Sequence, residues 1–319
     1  MTNRAFRFGV LAERVRTRRE LVETARRAED AGYATFLLRD HFIEPPFGHQ
    51  LAPFPALATV AACTERLRIG TMVACNDYRH PVMLVKEAAT LDVLSEGRFE
   101  LGLGAGFMQE EYERAGIPFD RPGRRVDRLI ESVAVLKKLF AGEPATFDGE
   151  HYAVDGLDAF PMPVQRPHPP LLIAGAGRRM LDLAAREADI VGLQTVSTAG
   201  GVLAIDPWSR LAGKVDEQVV WLRQRAGARW PDIEISAVVT LIVTDDREVA
   251  AERFIQGAGW SDVTVEDVLA IPTLFVGTKE EIVDLMVERR DRYGLSYLIV
   301  PDSQMAVTAS ILPSLATAS

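Results

Sequence analysis

A (β/α)8 barrel is the fold class this chain predicts, and three observations carry the prediction. Eight short apolar strand patterns recur along its 319 residues. Helical patterns with their own start and stop signals lie between them. The stretch RLRIGTMVACNDYRHPVMLVKEAATLDVLSEGRFELGLGAG, Arg66 to Gly106, reads as one whole β/α unit running strand, polar loop, helix, tight turn, strand and glycine-rich loop. Eight such units need roughly 250 residues before insertions, so the chain has room for additions.

In order, the first strand is Phe6 to Ala12, followed by Thr17 and Glu20 at capping-box spacing, an apolar face of Leu21, Ala25 and Ala28, and Gly32 as the stop. Thr35 to Arg39 is the second strand. Leu67 to Val73, the third, is alternating and β-branched; Pro81 suits the first turn of the next helix, where Leu84, Ala88 and Leu91 repeat at helical spacing. Glu96-Gly97 turns the chain into Phe99 to Leu103, the fourth strand. Ala141 to Pro170 is an excursion between units four and five, with a hairpin-like segment around Asp148-Gly149 and then the proline-rich PMPVQRPHPP. Leu171 to Ala174 and Ile190 to Leu193 are apolar without alternation, as strands covered by helices on a parallel sheet should be. Ile235 to Val243 is the seventh strand, and Gly257 to Thr273 interrupts its unit as a candidate lid. Thr278 and Glu281 repeat the capping box before Ile282, Leu285 and Met286, Gly294 ends that helix, and Tyr297 to Val300 is the eighth strand. No domain boundary is evident, so residues 1–319 are read as a single domain.

With 48% hydrophobic and 25% charged residues, the composition is that of a globular protein with a sizeable core. The net charge of -9 argues against nucleic acid or anionic lipid as the main partner, since both call for concentrated cationic surface. No run approaches the roughly 18 apolar residues of a membrane span, and the basic N-terminus lacks the apolar core of a signal peptide. A cytoplasmic location is the expectation. Cys63 and Cys75 lack CxxC spacing and are expected as buried free thiols.

In a parallel barrel the chemistry lies at the C-terminal ends of the strands. Candidates are therefore Asp40, His41 and Phe42 after strand two, Ala74 to His80 after strand three, Gly104 to Phe107 after strand four, and Gly175 to Arg179 after strand five. An imidazole titrates near neutrality, so His41 at the barrel mouth can give or take a proton; the plainer alternative is a histidine that hydrogen-bonds the rim. Gly102, Gly104 and Gly106 either pack tightly or let a planar ring or phosphate approach the backbone. A Rossmann reading fails, because GxGxxG does not follow the first strand. Gly175, Ala176, Gly177 and Arg178 open a helix, and its N-terminal N–H groups plus the guanidinium make a cradle for a phosphate.

AEDAGYATFLLRDHF, RLRIGTMV, RHPVMLVKEAATLDVLSEGRFELGLGAGF, PPLLIAGAGRRMLDLAAREADIVG and VGTKEEIVDLMVERRDRYGLSYLIV resemble, in order, the luciferase-like flavin and deazaflavin oxidoreductases, in particular the branch that uses coenzyme F420. The resemblance implies a hydride-transferring enzyme acting on a small molecule, with F420 as cofactor or, alternatively, a monooxygenase using FMN reduced by a separate reductase. It places His41 beside the ring and a non-proline cis peptide between Met72 and Val73 against the ring face. Cofactor contacts from Asp40, Asn76, Ala105 and Gly106 follow, together with the Gly175–Arg178 loop; Asp40 is read equally as orienting His41 or capping the next segment. A homodimer is expected from the resemblance alone. One departure stands out: some sugar dehydrogenases of this branch carry an acidic residue where this chain has Phe107, which points to a more apolar cleft, to which Phe42, Trp208 and Trp260 would add.

Overall fold

The computed structural model describes residues 4–195, 201–202 and 207–315. Eight parallel strands close on themselves: β1 (Arg7–Leu11), β2 (Thr35–Leu38), β3 (Arg68–Thr71), β4 (Phe99–Gly104), β5 (Leu171–Gly175), β6 (Ile190–Leu193), β7 (Glu234–Val238) and β8 (Leu295–Pro301). Each pairs in parallel with its neighbours in sequence, β8 pairs with β1, and the β3–β4 pairing completes the ring. The expected (β/α)8 barrel is the observed fold. β2, β6 and most of β4 are buried on both sides because barrel interior and helices each cover one face.

The helices that position the site are α1 (Arg18–Asp30), α2 (Pro53–Cys63), α3 (Pro81–Leu94), α4 (Gln109–Ala115), α5 (Pro122–Phe140), α6 (Arg178–Glu187), α7 (Ala212–Ala226), α8 (Arg247–Ala258), α9 (Val265–Leu269) and α10 (Lys279–Tyr293). Both expected capping boxes form: Thr17 with Glu20 begins α1, and Thr278 with Glu281 begins α10. The excursion between units four and five contains the antiparallel pair Ala145–Asp148 and Ala153–Leu157, turned at Gly149.

One strand differs from expectation. Ile235 to Val243 is not continuous: β7 ends at Val238, and Thr240–Val243 leaves the barrel to pair in parallel with Leu274–Gly277. The break falls at Val239, whose N–H still bonds Ile299 while the N–H of Thr240 turns to Thr273. That second sheet organises a satellite core of Ala251, Trp260, Val268, Ile271, Leu274 and Val276, to which segment 257–273 contributes Trp260, Val268 and Ile271.

The two ends of the barrel are chemically distinct. At the N-terminal end Arg7 bonds Glu100 and Glu234, each at 2.6 Å, with its guanidinium 3.6 Å over the Tyr297 ring. Above it, Leu11, Leu37, Met72, Leu172, Ile190 and Ile299 fill the interior. Space opens only beyond these, at the strands' C-terminal ends.

Candidate active site

A cavity of about 720 Å³ occupies that end. Its floor comes from the loops after β2, β3, β4 and β5, and its far wall from the β7 region and the satellite core, through Val238, Thr240, Ile271 and Leu274. Asp40, His41, Met72, Val73, Ala105, Gly106, Gly175, Ala176 and Gly177 all line it.

The chain enters the site through the second strand. His41 stacks on Phe47 with ring centroids 4.5 Å apart and meets Phe107 edge-on at 6.1 Å. Its Nδ1 lies 2.9 Å from Oε2 of Glu111, which also accepts the Tyr78 hydroxyl at 2.9 Å. The other carboxylate oxygen takes the backbone N–H groups of Phe42 and Ile43 at 2.5 and 3.2 Å. Burial alone would raise the Glu111 carboxyl; the hydrogen bond and charge of His41 and the two N–H groups outweigh it and hold the carboxyl below the ordinary range. Burial, followed by the nearby Cys75 and Glu111, raises the Tyr78 phenol, which stays protonated. Beside them Arg39 pairs with Glu13 at 2.7 Å and lies 4.3 Å from the Phe47 ring centroid.

Asp40 neither orients His41 nor caps the following segment. Its buried carboxylate accepts the Cys75 N–H at 3.1 Å and Arg79 at 2.5 and 3.2 Å, tying β2 to the loop after β3. The Met72–Val73 peptide bond preceding that loop is cis.

The alternating glycines of β4 resolve into packing and lining. A Cβ on Gly102 would run into the Thr71 carbonyl, and one on Gly104 would sit 2.8 Å from a Val73 methyl. Gly106 has φ +73° and leaves room for Cys75 and the Tyr112 hydroxyl, which bond one another at 3.3 Å. Gly104 and Gly106 also face the cavity.

Two expected site residues do not line it. Asn76 is fully buried and donates to the Tyr152 hydroxyl at 3.3 Å, because the hairpin excursion folds back over it. Arg178 turns outward onto Trp221 of α7, 4.8 Å from its ring centroid. The cation on that wall is instead Arg125 of α5, buried to 5% exposure, which donates to the carbonyls of Gly106 and Asp120. Gly177 remains at the N-terminus of α6, which carries no side-chain cap and no acid in its first turn. Phe42 stacks on Tyr78 and stands exposed, Trp208 is exposed, and Trp260 is buried against Phe254; the aromatic lining includes Phe47, Tyr78, Phe107 and Phe254.

Glu111 and Arg125 were not legible as site residues. An acid in the first turn of a helix is ordinary complement to the helix dipole, and Arg125 lies in the basic run RPGRR at the start of α5. The signal available for Glu111 was its place just beyond the fourth strand end; its partners come from two other loops.

Among the described residues, no group of three or more His, Cys, Asp or Glu side chains is arranged to hold a metal, and no helix is long and apolar enough to cross a membrane.

The family model of the luciferase-like monooxygenases matches residues 5–297. The chain is 33% identical over 208 residues to an F420-dependent hydroxymycolic acid dehydrogenase of Mycobacterium tuberculosis, an alignment covering 63% of this chain and 56% of that protein. It is 31% identical over 237 residues to an F420-dependent glucose-6-phosphate dehydrogenase of Nakamurella multipartita, covering 73% and 66%. These alignments thus span between about half and two thirds of the relatives' lengths. Among solved structures, a coenzyme F420-dependent tetrahydromethanopterin reductase from Methanopyrus kandleri superposes with TM-score 0.75 at 16% identity, covering 98% of this chain and 100% of the other.

Proposed function

The chain belongs to the luciferase-like monooxygenase family, and on that premise we propose that it is an F420-dependent oxidoreductase acting on a fairly apolar organic small molecule, with His41 handling the proton that accompanies hydride transfer. The observation that carries this reading is His41 itself, held at Nδ1 by Glu111 at the strand-end cavity while Nε2 has no protein partner among the described residues.

The residues present fit the cofactor. Backbone at Met72, Val73, Gly104, Ala105 and Gly106 forms a side-chain-poor surface suited to a flat ring system. The uncapped N-terminus of α6 at Gly177 is suited to a phosphate, with Arg125 as the nearby cation. When bound, F420 supplies an obligate hydride donor or acceptor. In the oxidising direction, His41 Nε2 takes the hydroxyl proton of the substrate as the hydride leaves carbon; in the reducing direction it returns the proton to the carbonyl oxygen.

Phe107, Phe47, Met108, Leu193, Phe254 and Ile271 give the space beyond the ring surface an apolar lining. Arg39, which borders that lining, is committed to Glu13. These features favour an apolar substrate over a sugar phosphate.

The test is a binding titration of the purified protein with F420 against FMN, followed by turnover with the cofactor that binds. F420 binding is expected, with His41→Ala slowing the hydride-transfer step by about 10² to 10⁴ and leaving F420 affinity nearly unchanged. Tight reduced FMN with oxygen uptake and no F420 binding would establish the two-component monooxygenase instead. Full F420 turnover in His41→Ala, with hydride transfer rate-limiting, would remove the role of His41.

A further inference from the structure

We propose that Glu111 sets the tautomer of His41, keeping the ring proton on Nδ1 so that Nε2 presents its lone pair to the cavity. Glu111 is then a positioning residue. The inference rests on the reading of His41 as the proton-handling group, though it is measurable without turnover.

The argument is a count of donors and acceptors. The Glu111 side chain has no exposed surface, and its two oxygens face four polar partners. Oε1 takes two backbone N–H groups, which can only donate. Oε2 takes the hydroxyl of Tyr78 and faces His41 Nδ1. A carboxylate so placed is an acceptor at every contact, so the fourth partner has to bring a hydrogen, and Nδ1 is protonated. In the neutral ring the lone pair then belongs to Nε2, the nitrogen that no described residue engages. The stacked Phe47 and edge-on Phe107 hold the ring plane, so proton placement and orientation are set separately. The loops after β2 and β3 converge on α4 here, and the Glu111 carboxylate is their common acceptor.

Glu111→Gln tests this with a specific expected direction. The backbone N–H groups of Phe42 and Ile43 cannot become acceptors, so the amide oxygen has to take the place of Oε1. The amide NH2 then occupies the place of Oε2 and donates to His41 Nδ1. The ring proton moves to Nε2, and the lone pair needed at the substrate is lost.

The experiment is nitrogen-15 NMR of the full chain labelled at histidine, at a pH where the ring is neutral, without added cofactor. The chain has five histidines, and His41→Asn identifies the signal by its loss. The wild-type ring is expected with a protonated Nδ1 and an unprotonated Nε2, and Glu111→Gln with the two exchanged. In F420 turnover the same variant should lose about 10²-fold or more in kcat for substrate oxidation while KM stays nearly constant. A wild-type ring protonated at Nε2 overturns the proposal even if the variant fails to fold, and so does a folded Glu111→Gln with the wild-type tautomer. Unchanged turnover in His41→Ala removes the catalytic reading, whereas the tautomer that Glu111 imposes is still decided by the nitrogen shifts.

Discussion

Asp40 and Cys75 are joined by a hydrogen bond of 3.1 Å from the Cys75 backbone N–H to the Asp40 carboxylate, which also grips Arg79. One side chain thereby anchors the loop that follows the cis bond at Met72–Val73 to the end of the neighbouring strand. The placement of the Met72–Val73 backbone relative to His41, the next residue after Asp40, depends on it.

Asp40→Ala should therefore act on stability and on the site together. Removing a buried acceptor from a guanidinium and a backbone N–H costs about 2–4 kcal/mol, to be read as a shift of the urea midpoint. F420 affinity should fall in the folded variant, in contrast to His41→Ala. Wild-type stability in Asp40→Ala would show the anchor to be redundant.

Gly106→Ala should be destabilising for two reasons that add. The backbone there has φ +73°, and a Cβ would collide with the Tyr112 hydroxyl and lie 2.8 Å from Cys75 Sγ. Overpacking of this kind costs about 1–3 kcal/mol and the left-handed backbone a further ~1 kcal/mol. Gly177→Ala is the control, since nothing lies within 4 Å of its added Cβ. Equal thermal midpoints for the two variants would contradict this account.

The two thiols should separate by reactivity. Burial, chiefly, pushes the Cys75 thiol up to about 12, so at pH 8 it is protonated, and it is reached only from the cavity it lines. Cys63, half-buried on α2, is raised too, by burial first, but is partly accessible. A disulfide reagent at pH 8 should label one thiol in the native protein and two after denaturation, and Cys63→Ser should abolish the native labelling. Prompt native labelling of Cys63→Ser would mean that the reagent reaches Cys75 through the cavity and that the raised thiol does not protect it.

Local patterns in the chain were sufficient for what local physics controls. The capping boxes at Thr17 and Thr278, the turn at Gly149 and the strands up to β6 depend on neighbours within a few residues. Where two structures compete for the same residues, the pattern was silent. Ile235 to Val243 reads as one strand along the chain, and pairing with Leu274–Gly277 draws its second half out of the barrel. Arg178 reads as a phosphate ligand by position, yet a guanidinium on a long flexible stem goes to whichever surface is nearest, and here that is Trp221.

By itself, then, the sequence determined the barrel and put His41 at the C-terminal ends of its strands, where the cavity opens. Strand periodicity and loop position are written in consecutive residues, which is why they can be read in one dimension. The tertiary structure decided that Asp40 serves Cys75 and Arg79 rather than His41, that Asn76 is covered by Tyr152, and that Glu111 gathers donors from loops 33 and 70 residues away. Hydrogen bonds between distant loops depend on where the folded barrel brings their ends, and a carboxylate buried among four donors looks, in the chain alone, like any acid in the first turn of a helix.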